Sequence, residues 1–246
     1  MEAIGCSSQH HYYSVYILGS GSRYTDLWHN IAGILLLMFA NFCDSTDGQL
    51  ARLTGQKTLI GRMLDGFSGD VWFFAIYVAI ALRLQGQDMP GTDVHWGIWI
   101  WALAILSGFL CHSPQSSLSD YYRQIHLFFL KGKEGSELDN YASQRKIYEE
   151  LPKKGAVMSK LFYYNYANYC KSQEHRTPAF QQLSKALKAK YSNVGEMPAA
   201  LREEFLNGSR PLMKYTNILT FNTRAICIYV TCLLNCPWIY LLIEIT

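Results

Sequence analysis

The chain lacks any close cysteine pair: its seven cysteines are scattered without a CxxC, and Cys43, Cys111, Cys227 and Cys232 fall in apolar runs. Neither a disulfide framework nor a zinc site is therefore indicated. A glycine-rich P-loop, an HExxH helix and a nucleophile elbow are also missing, which removes three common signatures of hydrolytic and nucleotide chemistry. The segment 1–26 has neither the basic start nor the small-residue cleavage pattern of a signal peptide. It holds only a short apolar fragment at 15–18, interrupted by Gly19, Ser20 and Gly21, a poor membrane span. No recognisable RNA-binding platform appears, so nucleic acid is not an expected partner.

What the chain does have is apolar sequence, diluted by one long polar stretch; hydrophobic residues make up 50% of the whole. Runs at 28–42, 64–84, 95–111 and 218–243 are candidate membrane spans, the first of them short unless it continues into Cys43 and the acidic sequence beyond. Trp28, Trp72, Trp96 and Trp238 stand at their margins, where an indole suits a membrane interface as well as a core. Lys and Arg set the expected orientation. The turn after the first run carries Arg52, Lys57 and Arg62, the segment 85–94 carries Asp88 and Asp93 but no base, and 113–214 holds most of the remaining basic residues. The excess of positive charge on cytoplasmic segments then places the first turn and the long polar stretch on the cytoplasmic side. The expected fold is all-α: a polytopic membrane helix bundle with an inserted cytoplasmic helical segment. It divides into an N-terminal segment 1–27, a transmembrane core 28–130, a cytoplasmic insertion 131–215 and a C-terminal transmembrane segment 216–246.

Acidic residues gather where the first two apolar runs end and begin, in DSTDGQLAR and, eight residues later, GRMLDGFSGD. Read as a helix, Asp44, Asp47, Gly48 and Ala51 fall within about a third of the circumference, because three, four or seven steps return to one face. Gly48 and Ala51 carry almost no side chain there, so a partner helix or a flat ligand can approach the backbone closely. Asp65 stands near the start of the second helix, and Asp70 follows. Carboxylates this close raise each other's pKa unless a divalent cation neutralises them. Oxygen ligands without His or Cys suit Mg²⁺, Mn²⁺ or Ca²⁺ better than Zn²⁺, and two such ions can clamp a pyrophosphate for in-line displacement at phosphorus. By spacing alone, the same acids also suit an ordinary role, capping helices and pairing with Arg52 or Arg62.

The order Asp44, two residues, Asp47-Gly48, two residues, Ala51-Arg52, eight residues, Gly61, three residues, Asp65 resembles the motif of the CDP-alcohol phosphotransferase (phosphatidyltransferase) family. The resemblance implies an integral membrane enzyme of phospholipid biosynthesis. Such an enzyme cleaves a CDP-linked lipid or alcohol, passes the phosphoryl-alcohol part to an acceptor hydroxyl and releases CMP. It implies Asp44, Asp47 and Asp65 as ligands of two divalent ions, Mg²⁺ or Mn²⁺. It also implies Gly48, Ala51, Arg52 and Gly61 as the substrate-binding positions of the motif, with Gly48 and Ala51 admitting the cytidine nucleotide. The acceptor would be a polyol or polyol phosphate, the surroundings membrane lipid, and the assembly is compatible with a homodimer.

The family's last Asp, four residues after the third, ligates metal and is the candidate base; here that position is Gly69. Asp70 comes one residue late, about 100° round an ideal helix. A π-bulge would absorb the extra residue, and Gly66 and Gly69 make one less costly; Asp70 would then be the catalytic base. The alternative is an incomplete or inactive member that binds CDP-lipid or a partner without turnover. The family's six-helix core is also expected to be incomplete at both ends of this chain. An ion-transport protein is a further alternative, disfavoured because the acids lie at the ends of the runs and not deep within them.

Two polar regions complete the reading. His112, Gln115, Asp120, Tyr121 and Arg123 lie beside an apolar helical pattern and are candidates to hold an acceptor polyol, or simply a snorkelling helix end. From 134 to 210 the pattern predicts amphipathic helices punctuated by Pro178 and Pro198. Within it Tyr163, Tyr164, Tyr166, Tyr169, Tyr191 and scattered Lys suit an anionic membrane surface, or packing between the helices themselves.

Overall fold

The computed structural model describes residues 27–54, 59–132, 135–152, 157–191 and 197–246. The all-α expectation holds: among the described residues there is no strand, only an isolated bridge between Asp88 and His95. Two compact units divide the chain, Met1–Pro114 with Arg224–Thr246, and Gln115–Thr223.

In the first unit, α1 (Leu27–Leu53) and α2 (Leu59–Leu84) are long helices, each about 40 Å at the usual rise per residue. Asn30, Ile34, Leu37 and Ala40 of α1 are buried at spacings of four, three and three, the stripe a helix turns toward a core. On α2 the buried stripe is Phe73, Ile76, Tyr77, Ile80 and Leu84. Beyond α2 the chain reverses through Pro90 and Gly91. Thr92 N–H donates to the Met89 carbonyl at 3.0 Å, and Gly91 has φ of +76°, the backbone that the third position of a type II turn requires.

Helix α3 (Trp99–Ile105) runs into a π-helical segment, Leu106–His112, and then into α4 (Ser113–Lys131). In this π segment, Gly108 lies so close to Tyr77 that an added Cβ would stand 2.8 Å from the ring. Only glycine fits, and the wider turn lets both Gly108 and His112 face α2. The π-bulge expected in α2 around Gly66–Gly69 is not found there: Leu59–Leu84 is α-helical throughout. Glycine lowers the barrier to a bulge but does not produce one without a packing demand such as the one Tyr77 makes on Gly108.

The unit ends with α10 (Phe221–Leu233) and α11 (Trp238–Ile243). Between them Cys236 N–H donates to the Thr231 carbonyl at 2.8 Å and Asn235 N–H to the Cys232 carbonyl at 3.1 Å, with Asn235 at φ 55°. This is a Schellman cap closed by asparagine, with Pro237 following to prevent the helix continuing.

Among the described residues no helix is long and apolar enough to cross a membrane, so they do not confirm the polytopic expectation. The run 95–111 is helical only from Trp99, the run 218–243 is broken at the Schellman cap, and α1 passes into the acidic segment before it reaches bilayer length. The unit nonetheless exposes large apolar side chains and buries polar and charged ones beside its apolar core. Trp28, Phe42, Phe74 and Phe109 point outward, while Asn30, Arg83, His112, Arg224 and Glu244 are buried.

The second unit contains most of α4, followed by α5 (Tyr141–Glu150), α6 (Val157–Arg176), α7 (Pro178–Lys190), α8 (Ala199–Ser209), a 3₁₀ turn and α9 (Met213–Ile218). Tyr121, Ile125 and Phe129 of α4 form its core with Met197 and Leu206. The Phe129 ring stacks on Phe205 with centroids 3.8 Å apart. Asn140 caps α5 by accepting from the Ser143 N–H at 2.9 Å, and Pro178 opens α7 at its first turn.

Candidate functional site

The acidic motif occupies the end of α1 and the beginning of α2, two consecutive helices joined through residues 54–58. The backbone is helical at 44, 47, 48, 51 and 52 and again at 61 and 65. The side chains of Asp44, Asp47, Gly48, Ala51, Arg52, Gly61 and Asp65 lie outside the described residues. The helical backbone that the spacing argument needs is thus present, with three, four and seven steps separating the first four positions. At the end of α1 the Thr54 hydroxyl donates to the Leu50 carbonyl at 2.9 Å, satisfying one of the carbonyls a helix end leaves open.

The donor set fits a hard divalent ion: three carboxylates at the motif positions, with no His or Cys among them. Among the described residues no group of His, Cys, Asp and Glu is arranged to hold a metal. Gly69 and Asp70 are described. Asp70 is exposed on α2 and interacts electrostatically with His112. A Cβ added at Gly69 meets nothing within 4 Å, so a carboxylate is sterically free to stand there.

Below this end of α2 the unit encloses a polar network. Arg224 Nη1 lies 2.6 Å from His112 Nδ1 and 3.4 Å from the His112 carbonyl. Arg224 Nε is 3.6 Å from Glu244 Oε1, and His112 Nδ1 is 3.4 Å from Glu244 Oε2. Tyr77 Oη sits 3.3 Å from the same Nδ1 and 3.2 Å from Tyr240 Oη, and Phe73 packs on the imidazole with centroids 4.1 Å apart. A guanidinium only donates, so Nδ1 accepts, and a neutral imidazole then carries its proton on Nε2. Arg224 and Glu244 form the charged pair, and His112 is their polar neighbour. Phe73 and Tyr77 stand three and seven residues after Asp70 on α2, so the network shares the helix face that begins with Asp70.

Of the expected acceptor cluster, His112 belongs to this network, and Tyr121, Asp120 and Arg123 have partners within the second unit. Tyr121 is buried in the core of the second unit, where Gln181 Nε2 donates to its hydroxyl at 2.9 Å and burial pushes its phenol pKa up. Asp120 and Arg123 pair with each other at 2.7 Å on the surface. The polar positions 112–123 span the point between Pro114 and Gln115 where the chain passes from one compact unit to the other. Sequence reasoning missed Arg224, Glu244, Tyr77 and Tyr240. A signal was available, because Arg224 and Glu244 are the only charged residues from 218 to the last residue of the chain, and charges in an apolar run usually pair.

No curated protein and no solved structure matches the chain. Residues 12–113 match the family model described as CDP-alcohol phosphatidyltransferase, an interval that contains the whole acidic motif, both helices that carry it and the π segment that packs on α2. Residues 12–113 therefore carry a CDP-alcohol phosphatidyltransferase domain.

Proposed function

We propose that the protein is a membrane CDP-alcohol phosphotransferase of phospholipid biosynthesis, moving a phosphatidyl or related phosphoryl-alcohol group from a CDP-linked donor to an acceptor hydroxyl with release of CMP. The observation that carries this reading is the motif itself, Asp44 to Asp65, lying inside the family match and on two consecutive helices. Exposed aromatic and buried charged side chains in the first unit support a lipid environment: outward Trp28, Phe74 and Phe109 suit acyl chains, while the buried Arg224 and Glu244 pair with each other. The motif end faces the cytoplasm in this proposal, on the charge asymmetry of the flanking segments.

Asp44, Asp47 and Asp65 hold two Mg²⁺ or Mn²⁺ ions. Bound there, the ions supply charge neutralisation for the donor pyrophosphate. Gly48 and Ala51 leave room for the cytidine, Gly61 for the close approach of the second helix, and Arg52 offsets phosphate charge. Asp70, the carboxylate next to position 69, takes the proton from the attacking hydroxyl, a role that requires α2 to rearrange locally from the α-helical form it has here. The acceptor is a polyol or polyol phosphate.

The test is CMP release by the purified chain in lipid, from CDP-diacylglycerol with Mg²⁺ or Mn²⁺, across a panel of polyols and polyol phosphates. Release that needs both metal and one acceptor supports the transferase and names its acceptor class. Nucleotide binding without release supports the second reading, a family member that binds without turnover.

A further inference from the structure

The hairpin of α5 and α6, in the second unit, ends in a surface that its own packing does not use. Over the first two turns of α6, Val157 (71% exposed), Met158 (78%), Leu161 and Tyr164 follow one another on the outer side. Farther along, that side changes to Asn165, Asn168, Lys171 and His175. The face that packs inward, Tyr166, Ala167, Cys170 and Gln173, begins only after the apolar tip. Tyr166 donates to Asp139 at 2.6 Å, so of the tyrosines read as surface-binding in the sequence this one is committed to the interior.

Aromatic and basic groups ring the tip. Tyr148 of α5 lies beside Tyr164 with centroids 5.9 Å apart, and the Arg145 guanidinium and Lys160 ammonium stand 4.7 and 5.6 Å from the Tyr148 ring centre. From 145 to 160 the sequence has five basic residues and two acidic ones. Both acids are already paired, Glu149 with Arg145 at 2.8 Å and Glu150 with Lys146 at 3.8 Å. Outside these two pairs the described tip carries the charge of Lys160; Lys153 and Lys154 add to the charge of the sequence and lie outside the described residues. Nucleic acid would match the charge but not Val157, Met158 and Leu161. An anionic bilayer matches both: apolar side chains enter the headgroup boundary, tyrosines sit at its level, and lysines meet acidic headgroups.

We propose that the α5–α6 tip is a membrane-surface anchor that docks on an anionic lipid bilayer. This rests on the reading that the first unit lies in lipid.

The test uses the full chain with a benzophenone amino acid at position 158, reconstituted in vesicles of phosphatidylcholine alone or with added phosphatidylserine. After irradiation, adducts are read by mass spectrometry. The expected result is a lipid adduct at 158 that rises about fivefold or more with phosphatidylserine and falls again in Lys160→Glu, with none from the same label at exposed position 182 of α7. A label at 109 in the first unit serves as the reference for lipid embedding. Adducts at 109 but none at 158 overturn the anchor and leave the membrane reading standing, whereas silence at both positions overturns both. A crosslink from 158 to a second copy, or to the first unit of the same chain, overturns the anchor by naming another occupant. Equal lipid yields in the two vesicles overturn the anionic preference and with it the proposal.

Discussion

Arg224 donates from Nη1 to the Nδ1 of His112 across 2.6 Å, joining α10 to the end of the π-helical segment in the interior of the first unit. Glu244, near the last residue of the chain, closes the group from the other side at 3.6 Å from Arg224 Nε. The three side chains hold the wide turn, α10 and the segment after α11 together, and each is nearly inaccessible.

Removing either Arg224 or Glu244 leaves a buried charge without its counter-ion. Glu244→Leu is expected to lower unfolding stability by about 3–5 kcal/mol, the usual loss when a buried pair is broken from one side. The double variant Arg224→Leu/Glu244→Leu should lose less than the single one, because no orphan charge remains. Chemical unfolding followed by helical circular dichroism measures both, and a double variant that is worse than the single would show that His112 depends on Arg224 more than Glu244 does.

At the motif, Asp65→Asn removes a proposed metal ligand while leaving the helical backbone of α2 unchanged. CMP release is expected to fall by roughly a hundredfold or more, at least the size of effect seen when a supporting group of a metal site is lost. Raising Mg²⁺ or Mn²⁺ should recover part of the loss, since the variant weakens ion affinity as well as chemistry. Undiminished release would remove Asp65 from the site.

Position 69 tests where the base stands. Asp70→Asn is expected to lower CMP release by about 10²–10⁴-fold, the contribution typical of a general base. In that background Gly69→Asp should restore activity, because an added side chain at 69 meets no atom within 4 Å and position 69 is where the family motif carries its last carboxylate. Unchanged rates in Asp70→Asn would take Asp70 out of the reaction, and a large gain from Gly69→Asp in the otherwise unaltered chain would show that the native protein lacks its base.

The motif was legible because its function is tied to spacing. Positions 44, 47, 48 and 51 need only a helix to share a face, and α1 supplies it. The helix break after Leu233 divides the run 218–243, one candidate span by its sequence, and it falls where Asn235 and Pro237 have backbone preferences of their own. The polar network was not legible, because Tyr77, His112, Arg224, Tyr240 and Glu244 are far apart in sequence and meet only after α2, the π segment, α10 and α11 have packed. The π turn itself was expected where glycines are dense, at Gly66 and Gly69, and occurs where a ring demands it, at Gly108 against Tyr77. The acceptor cluster stays an expectation, because residues 112–123 run through a boundary between compact units that no residue pattern marks.

In the second unit His126 provides a pH test. Its Nδ1 lies 2.7 Å from the Ser209 hydroxyl, and burial, then the charge of Arg210, hold its pKa below the ordinary 6.5. The unfolded chain therefore binds the proton first. The stabilisation is fully present above pH 6.5 and is lost progressively as the pH falls from there toward the lower folded value. Arg210 is itself paired with Glu203 at 2.7 Å, which limits its share. The thermal midpoint should fall between pH 7.5 and pH 5 by more in the parent chain than in His126→Gln; identical pH profiles would remove His126 from the effect.

Asn235 serves two purposes that substitution can separate. Its Oδ1 accepts from the buried Arg83 Nη2 at 2.6 Å, and its backbone sits at φ 55°, where glycine is at ease and other residues are strained. Arg83 also donates to Asn30 Oδ1 at 3.0 Å, but its Nε is buried without a partner, so losing Asn235 adds a second unsatisfied donor to the same guanidinium. Asn235→Gly keeps the left-handed turn and gives up only the hydrogen bond, expected to cost about 1.5–3 kcal/mol for a bond from a charged donor. Asn235→Ala loses the bond and also strains the turn, adding about 1 kcal/mol. Equilibrium unfolding should therefore order the chains parent, glycine variant, alanine variant. If glycine and alanine are equally destabilised, the backbone contributes nothing, and the guanidinium alone explains why an asparagine closes this helix.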